Sequence, residues 1–142
     1  MRVLIDTNVL FSALLTDGPE RELLRVLTGQ GDTLVLTETI IEELKRNVAQ
    51  KYPLAARSRA LAIIEVMISG DFIKLKGHRE YTSFMSEALT LINKKDAPIL
   101  AVALGVDIDV FVTGDKDFLA NPKLRFLRGR KIFKPRELLN KI

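Results

Sequence analysis

The chain has 142 residues, of which 47% are hydrophobic and 28% charged, and it carries a formal charge of +4. That suffices for one domain, residues 1–142, around one sizeable apolar core, and excludes an intrinsically disordered chain. The absence of cysteine excludes disulfides, thiolate zinc sites and cysteine nucleophiles, and the single histidine, His78, leaves no histidine metal cluster.

From the N-terminus, residues 3–5 (VLI) are all apolar and read as a short strand covered on both faces. They follow the first two residues directly, without signal-peptide architecture, and no stretch approaches the ~20 apolar residues of a membrane span; a cytoplasmic protein away from membranes is expected. SALLTDG is expected to begin a helix that breaks at Gly18, and PERELLRVL a second helix with proline in its first turn, ended by Gly29 and Gly31. Residues 33–36 (TLVL) read as a buried strand. Thr37 and Thr39 are N-cap candidates for a helix from Glu38 to about Lys51. A further helix follows Pro53 and runs to Gly70. Residues 72–75 (FIKL) read as a third strand, residues 81–92 as a moderately amphipathic helix, and 93–96 as a polar break. His78, in the polar stretch LKGHREY, reads as a surface residue. Residues 98–104 form a very apolar helix closed by Gly105, and 109–113 (DVFVT) a fourth strand. GDKDFLANP is a loop with room for one helical turn. Residues 125–127 and 131–133 are short strand candidates, and 135–140 a last helix. Strands alternate with helices throughout, the pattern of an α/β fold with a central parallel sheet of four to five strands and helices on both faces.

Asp6 stands directly after the first strand and Asp115 just beyond the fourth. In a parallel sheet both strand ends lie on one edge, where open α/β sheets place their ligand sites. Two carboxylates that close need a shared proton or a cation between them. With no histidine nearby, a divalent cation is the natural solution, and oxygen-only ligation favours magnesium or manganese. Asp96, before an apolar helix, is a third candidate or a simple helix cap. Glu42 and Glu43 compete for a fourth place. Thr39-Ile40-Ile41-Glu42 fits a capping box, which gives Glu42 a local task. On a wheel of ~100° per residue, Ile40, Ile41, Leu44 and Val48 define the buried stripe; Glu43 lies roughly 115° from its centre and Glu42 roughly 145°. The flank reaches a cleft better, which favours Glu43. Asp117 joins the set as a direct ligand or a supporting group, and Phe118 reads as a packing residue.

Basic charge is concentrated late: residues 116–142 hold nine Lys/Arg and two Asp/Glu, against thirteen and sixteen in the rest. An anion-binding rim beside an acidic site has this balance.

Together VLIDTNVLFSAL, TETIIEEL, KKDAPILAVAL and VFVTGDKDF resemble the PIN-domain family, most closely its toxin-like branch from toxin–antitoxin systems. The resemblance implies a three-layer α/β/α PIN-like domain. It implies catalytic acids at Asp6, Glu43, Asp96 and Asp115, with metal held by these four and Asp117. It implies supporting roles for Thr7, Asn8, Ser12 and Thr113. The expected activity is hydrolysis of RNA phosphodiester bonds by a divalent-metal-dependent endoribonuclease, with Mg²⁺ or Mn²⁺ as cofactor. Lys94, Lys95, Lys116, Arg125, Arg128, Arg130 and Lys131 are the RNA-backbone candidates, a contact that should weaken with salt. A toxin role implies a small protein antitoxin as partner, and a homodimer. Two other readings stay open: a non-catalytic RNA- or protein-binding module on the same fold, and a haloacid-dehalogenase-type phosphatase. The latter needs a second acid two residues after its nucleophile, where this chain has Asn8.

Overall fold

The computed structural model describes residues 1–142, the side chain of Met67 excepted. Five strands, β1 Arg2–Ile5, β2 Thr33–Thr37, β3 Ile73–Lys76, β4 Val110–Val112 and β5 Ile132–Phe133, form one sheet in the order β3-β2-β1-β4-β5. Every neighbouring pair is parallel. Parallel strands need crossovers, and helices supply them. These are α1 Thr7–Leu15, α2 Pro19–Gly29, α3 Glu38–Lys51, α4 Leu54–Ser69, α5 Met85–Leu91, α6 Ala97–Leu104, α7 Lys116–Leu119 and α8 Pro135–Lys141. Helices α1 to α4 and α8 pack on one another, and α5 packs on α6. Right-handed crossovers put the two groups on opposite faces of the sheet, giving three layers.

The central strands are apolar because both of their faces are covered. Val3, Leu4 and Ile5 of β1, Val35 of β2, and Phe111 and Val112 of β4 are all fully buried. The stripe expected on α3 is the buried one: Ile40, Ile41, Leu44 and Val48. Phe118 of α7 is buried too, and its ring meets Phe111 edge-to-face at 5.0 Å.

Several boundaries differ from the sequence reading. Helix α1 starts at Thr7 rather than near Ser12, because the Asp6 carbonyl accepts from the amides of Val9 and Leu10, so the strand turns into the helix with no loop. The box at Thr39 and Glu42 does not form; Thr37 caps α3, its hydroxyl accepting from Ile40 N at 3.0 Å. Residues 81–92 are not one helix. Tyr81 points inward, and its backbone (φ −124°, ψ −2°) separates two 3-10 turns that precede the shorter α5. Residues 125–127 make no strand. The Leu127 carbonyl gathers the amides of Arg130, Lys131 and Ile132, and Gly129 supplies the positive φ (77°) that this tight turn requires.

Chain order decides where a ligand can sit. From β1 the chain steps outward through β2 to β3, then returns to the other side of β1 as β4. The helices leaving β1 and β4 diverge to opposite faces, so a crevice opens at the carboxyl ends of those two strands. Asp6 follows one strand and Asp115 the other.

Candidate active site

A cleft of about 180 Å³ opens at that point, lined by side chains that include Asp6, Asn8, Glu43, Lys95, Asp96 and Asp115. Asp6 is the most buried of its acids, 9% exposed. Its backbone amide still belongs to the sheet, donating to Val112 O at 3.0 Å. Each carboxylate oxygen is held: Oδ1 accepts from Thr7 N at 2.8 Å, Oδ2 from the Thr113 hydroxyl at 2.7 Å. Burial pushes the Asp6 carboxyl above its ordinary range. The hydrogen bonds from Thr113 and Thr7 pull it down, and the charges of Asp115 and Glu43 push it further up.

Thr113 is fully buried and works in two directions. Its hydroxyl donates to Asp6 and accepts from Asp115 N at 3.0 Å, locking the ends of β1 and β4 together. Asp115 in turn caps α7, accepting from Asp117 N at 2.9 Å. The buried contact of Phe118 with Phe111 fixes that short helix against the sheet. On the other wall the Thr7 hydroxyl donates to Glu43 Oε2 at 3.0 Å. Glu42 is exposed and does not line the cleft, so the flank position of Glu43 is the one that reaches it.

Asp96 stands at the N-terminus of α6 without capping it through its side chain. Asn93 holds it instead: Asn93 Nδ2 donates to Asp96 Oδ2 at 2.8 Å, and Asp96 N donates to Asn93 Oδ1 at 3.0 Å. Asn93 escaped the sequence reading, which took Lys94, Lys95 and Asp96 from the polar break 93–96 and gave Asn93 no role. The signal was the Asn-x-x-Asp spacing, which lets each side chain serve the other's end of a turn.

One oxygen from each of Asp96, Asp115 and Asp117 lies within 4.8 Å of the others. All three are among the five expected metal-holding acids; Asp117, left open in the sequence reading between direct ligand and supporting group, is in this set, and Asp6 and Glu43 are not. The Thr7 amide and Thr113 hydroxyl draw the Asp6 oxygens back toward the sheet, while Asp117 stands free at the rim. The negative charge of Asp115, then the carboxyl of Asp96, push the Asp117 acid above its ordinary value. Crowded, oxygen-only donors of this kind suit a hard divalent cation.

The remaining candidates divide by position. Asn8 and Lys95 line the cleft, whereas Ser12 lies one turn further along α1 and does not. Lys94 and Lys116 are exposed neighbours of Lys95 and Asp115. Arg125 and Arg130 are exposed in the segment leading to β5. Arg128 and Lys131 are engaged elsewhere: Arg128 pairs with Glu137 at 2.8 Å, and Lys131 Nζ donates to Gly105 O at 2.9 Å. Lys131 enters β5 at its amino end, the edge of the sheet opposite the cleft. His78 is exposed, as expected.

A family model described as "PIN domain" matches residues 2–117. The chain belongs to the PIN-domain family. Its fold is similar to a chain in the crystal structure of VapBC2 from Rickettsia felis bound to a DNA fragment from their promoter. The TM-score is 0.67 at 16% identity, over 94% of this chain and 98% of that one. No curated protein matches the chain in sequence. The matched span of this PIN domain contains Asp6, Glu43, Asp96, Asp115 and Asp117; β5 and α8 lie beyond it. No helix among the described residues is long and apolar enough to cross a membrane.

Proposed function

We propose that this PIN domain is a divalent-metal-dependent endoribonuclease of the cytoplasm, acting as the toxin of a toxin–antitoxin pair. The observation that carries the reading is the meeting of Asp96, Asp115 and Asp117 at the β1/β4 crevice, with Asp6 behind them. Mg²⁺ or Mn²⁺ held by these acids and Glu43 would supply positive charge at the scissile phosphate and a bound water of lowered pKa.

The chain's own residues prepare that site. Thr113 fixes the separation of Asp6 and Asp115, so the carboxylates do not relax apart under their own repulsion. Asn93 aims Asp96 into the cleft, and Thr7 steadies Glu43. Lys95 at the wall brings a cation for a phosphate outside the acid cluster. A small antitoxin partner and a homodimer complete the proposal; the fold shared with a VapBC2 chain supports the antitoxin partner.

The test is cleavage of total RNA by purified protein in Mg²⁺ or Mn²⁺, with and without chelator, beside Asp6→Asn. Cleavage that needs metal and Asp6 is the expected result. Tight RNA binding with no cleavage under any of these conditions would make the protein a binding module and end the nuclease reading.

A further inference from the structure

A second cleft has a volume of about 310 Å³; Gly114, Leu119, Lys134, Arg136 and Glu20 are among its lining residues. Gly114 borders this cleft and Asp115 borders the acidic one, so a single peptide bond separates them. Lys134 follows the carboxyl end of β5, as Thr113 and Gly114 follow that of β4, and Thr113 N donates to Phe133 O at 3.0 Å. The two clefts therefore open on the same edge of the sheet. A Cβ on Gly114 would meet nothing within 4 Å, and its φ is not in the left-handed region. Nothing in the fold demands glycine here, and a side chain would project into open space at the border of the second cleft.

We propose that this second cleft is an anion subsite for the phosphate backbone of the RNA strand as it leaves the acidic cleft, a reading that rests on the nuclease function above. Lys134 and Arg136 supply two positive charges against the one carboxylate of Glu20, and both are exposed. Charge-assisted contacts from Lys and Arg are the usual means of fixing a phosphate backbone. Leu119 offers an apolar wall for a sugar or base. The subsite's two cations, Lys134 just after β5 and Arg136 of α8, lie beyond the span matched by the family model, whereas Pro19, Glu20 and Gly114 of the same cleft lie within it.

Two probes separate the clefts. Bis(p-nitrophenyl) phosphate is a diester with no strand to leave the acidic site; a fluorescein-labelled random-sequence RNA has one. Lys134→Ala with Arg136→Ala should keep hydrolysis of the small diester in Mn²⁺ and raise KM for RNA roughly ten-fold. Gly114→Leu should likewise weaken RNA turnover and spare the small diester. Lys134→Arg with Arg136→Lys, which keeps both charges, should restore RNA turnover. In an Asp6→Asn background, RNA binding by anisotropy should weaken on removing the two charges, and its log–log salt slope should shrink by about 1.4, or ~0.7 per phosphate. Unchanged KM and unchanged slope overturn the subsite. If the wild type hydrolyses neither probe, the nuclease reading fails, and the anisotropy arm still decides the cleft: undiminished RNA affinity refutes it.

Discussion

Thr113→Val tests the lock between the two strand ends without touching a carboxylate. The substitution is close to isosteric, so no cavity opens, and what is lost is the hydroxyl. Two hydrogen bonds go with it: the 2.7 Å bond donated to Asp6 and the 3.0 Å bond accepted from Asp115 N. A hydrogen bond to a buried charged acceptor contributes about 1.5–3 kcal/mol, and the half-exposed Asp115 amide recovers most of its loss in water. A destabilisation of about 2–3 kcal/mol follows, or roughly 6–9 °C in Tm for a chain of this size. Urea melts in chelator measure it, with Asp6→Asn and the double variant completing a cycle. If the hydroxyl acts through Asp6, the coupling between the positions should be about 1–2 kcal/mol. Additive effects, or a loss below ~0.5 kcal/mol, would show that Thr113 merely fills space and that the two strand ends are held by the sheet alone.

Asp6→Asn should abolish metal-dependent cleavage while, in chelator at neutral pH, melting above wild type. The sign follows from the carboxyl's raised pKa: the fold prefers the protonated form, so wild-type stability rises as pH falls through that raised value, and the amide removes the dependence. Differential scanning calorimetry at several pH values checks it. Glu43→Gln should cost about ten- to a hundred-fold in RNA cleavage, and Glu42→Gln less than about two-fold, read from initial rates. Asp107 works in the opposite sense to Asp6. The hydrogen bond from Lys76 holds its carboxyl below the ordinary range, against the opposing effect of burial. Its contribution is complete above the ordinary carboxylate value and is lost as pH falls through the lowered one, so Asp107→Asn should lower Tm at neutral pH and flatten the decline below about pH 4. Phe118→Ala should cost about 3–5 kcal/mol in urea melts, because it empties a fully buried site against Phe111.

Much of the architecture is readable from the chain because β1, β2 and β4 are short runs of branched apolar residues and the α3 stripe recurs at helical spacing. The same periodicity separates Glu43 from Glu42, since a helix flank and a helix back differ in angle. Other features leave no periodic trace. Thr113 reads as one more strand residue until β1 and β4 are known to be neighbours. Asn93 matters only through a turn that no periodicity reports. The basic residues are hardest, because a charge run carries no information about which edge of the sheet it occupies. Strand β5 has only two residues, yet its pairing sends Lys131 to one edge and Lys134 to the other. Of the seven basic candidates chosen from the sequence, Lys95 is the one that lines the acidic cleft, whereas Lys134 and Arg136, which line the second cleft on the same edge, were not among them.

That displacement says something about how such a site is assembled. The acids come from Asp6, Glu43, Asp96 and Asp115, spread over more than 100 residues, and each stands at or near the end of an element whose other end is fixed in the core. Helix α3 is anchored by its apolar stripe, α6 by five buried residues, and α7 by Phe118. The backbones that carry the carboxylates therefore cannot retreat from one another without pulling a core residue out of place, and hydrogen bonds hold the side chains of Asp6, Glu43 and Asp96. Packing holds the Asp6 carboxylate buried, with the charges of Asp115 and Glu43 adding to that cost, which is why neutralising Asp6 is expected to raise stability in chelator while removing cleavage. A site that had merely collected acids at a flexible surface would relax, and its Asp→Asn variants would melt no higher than wild type.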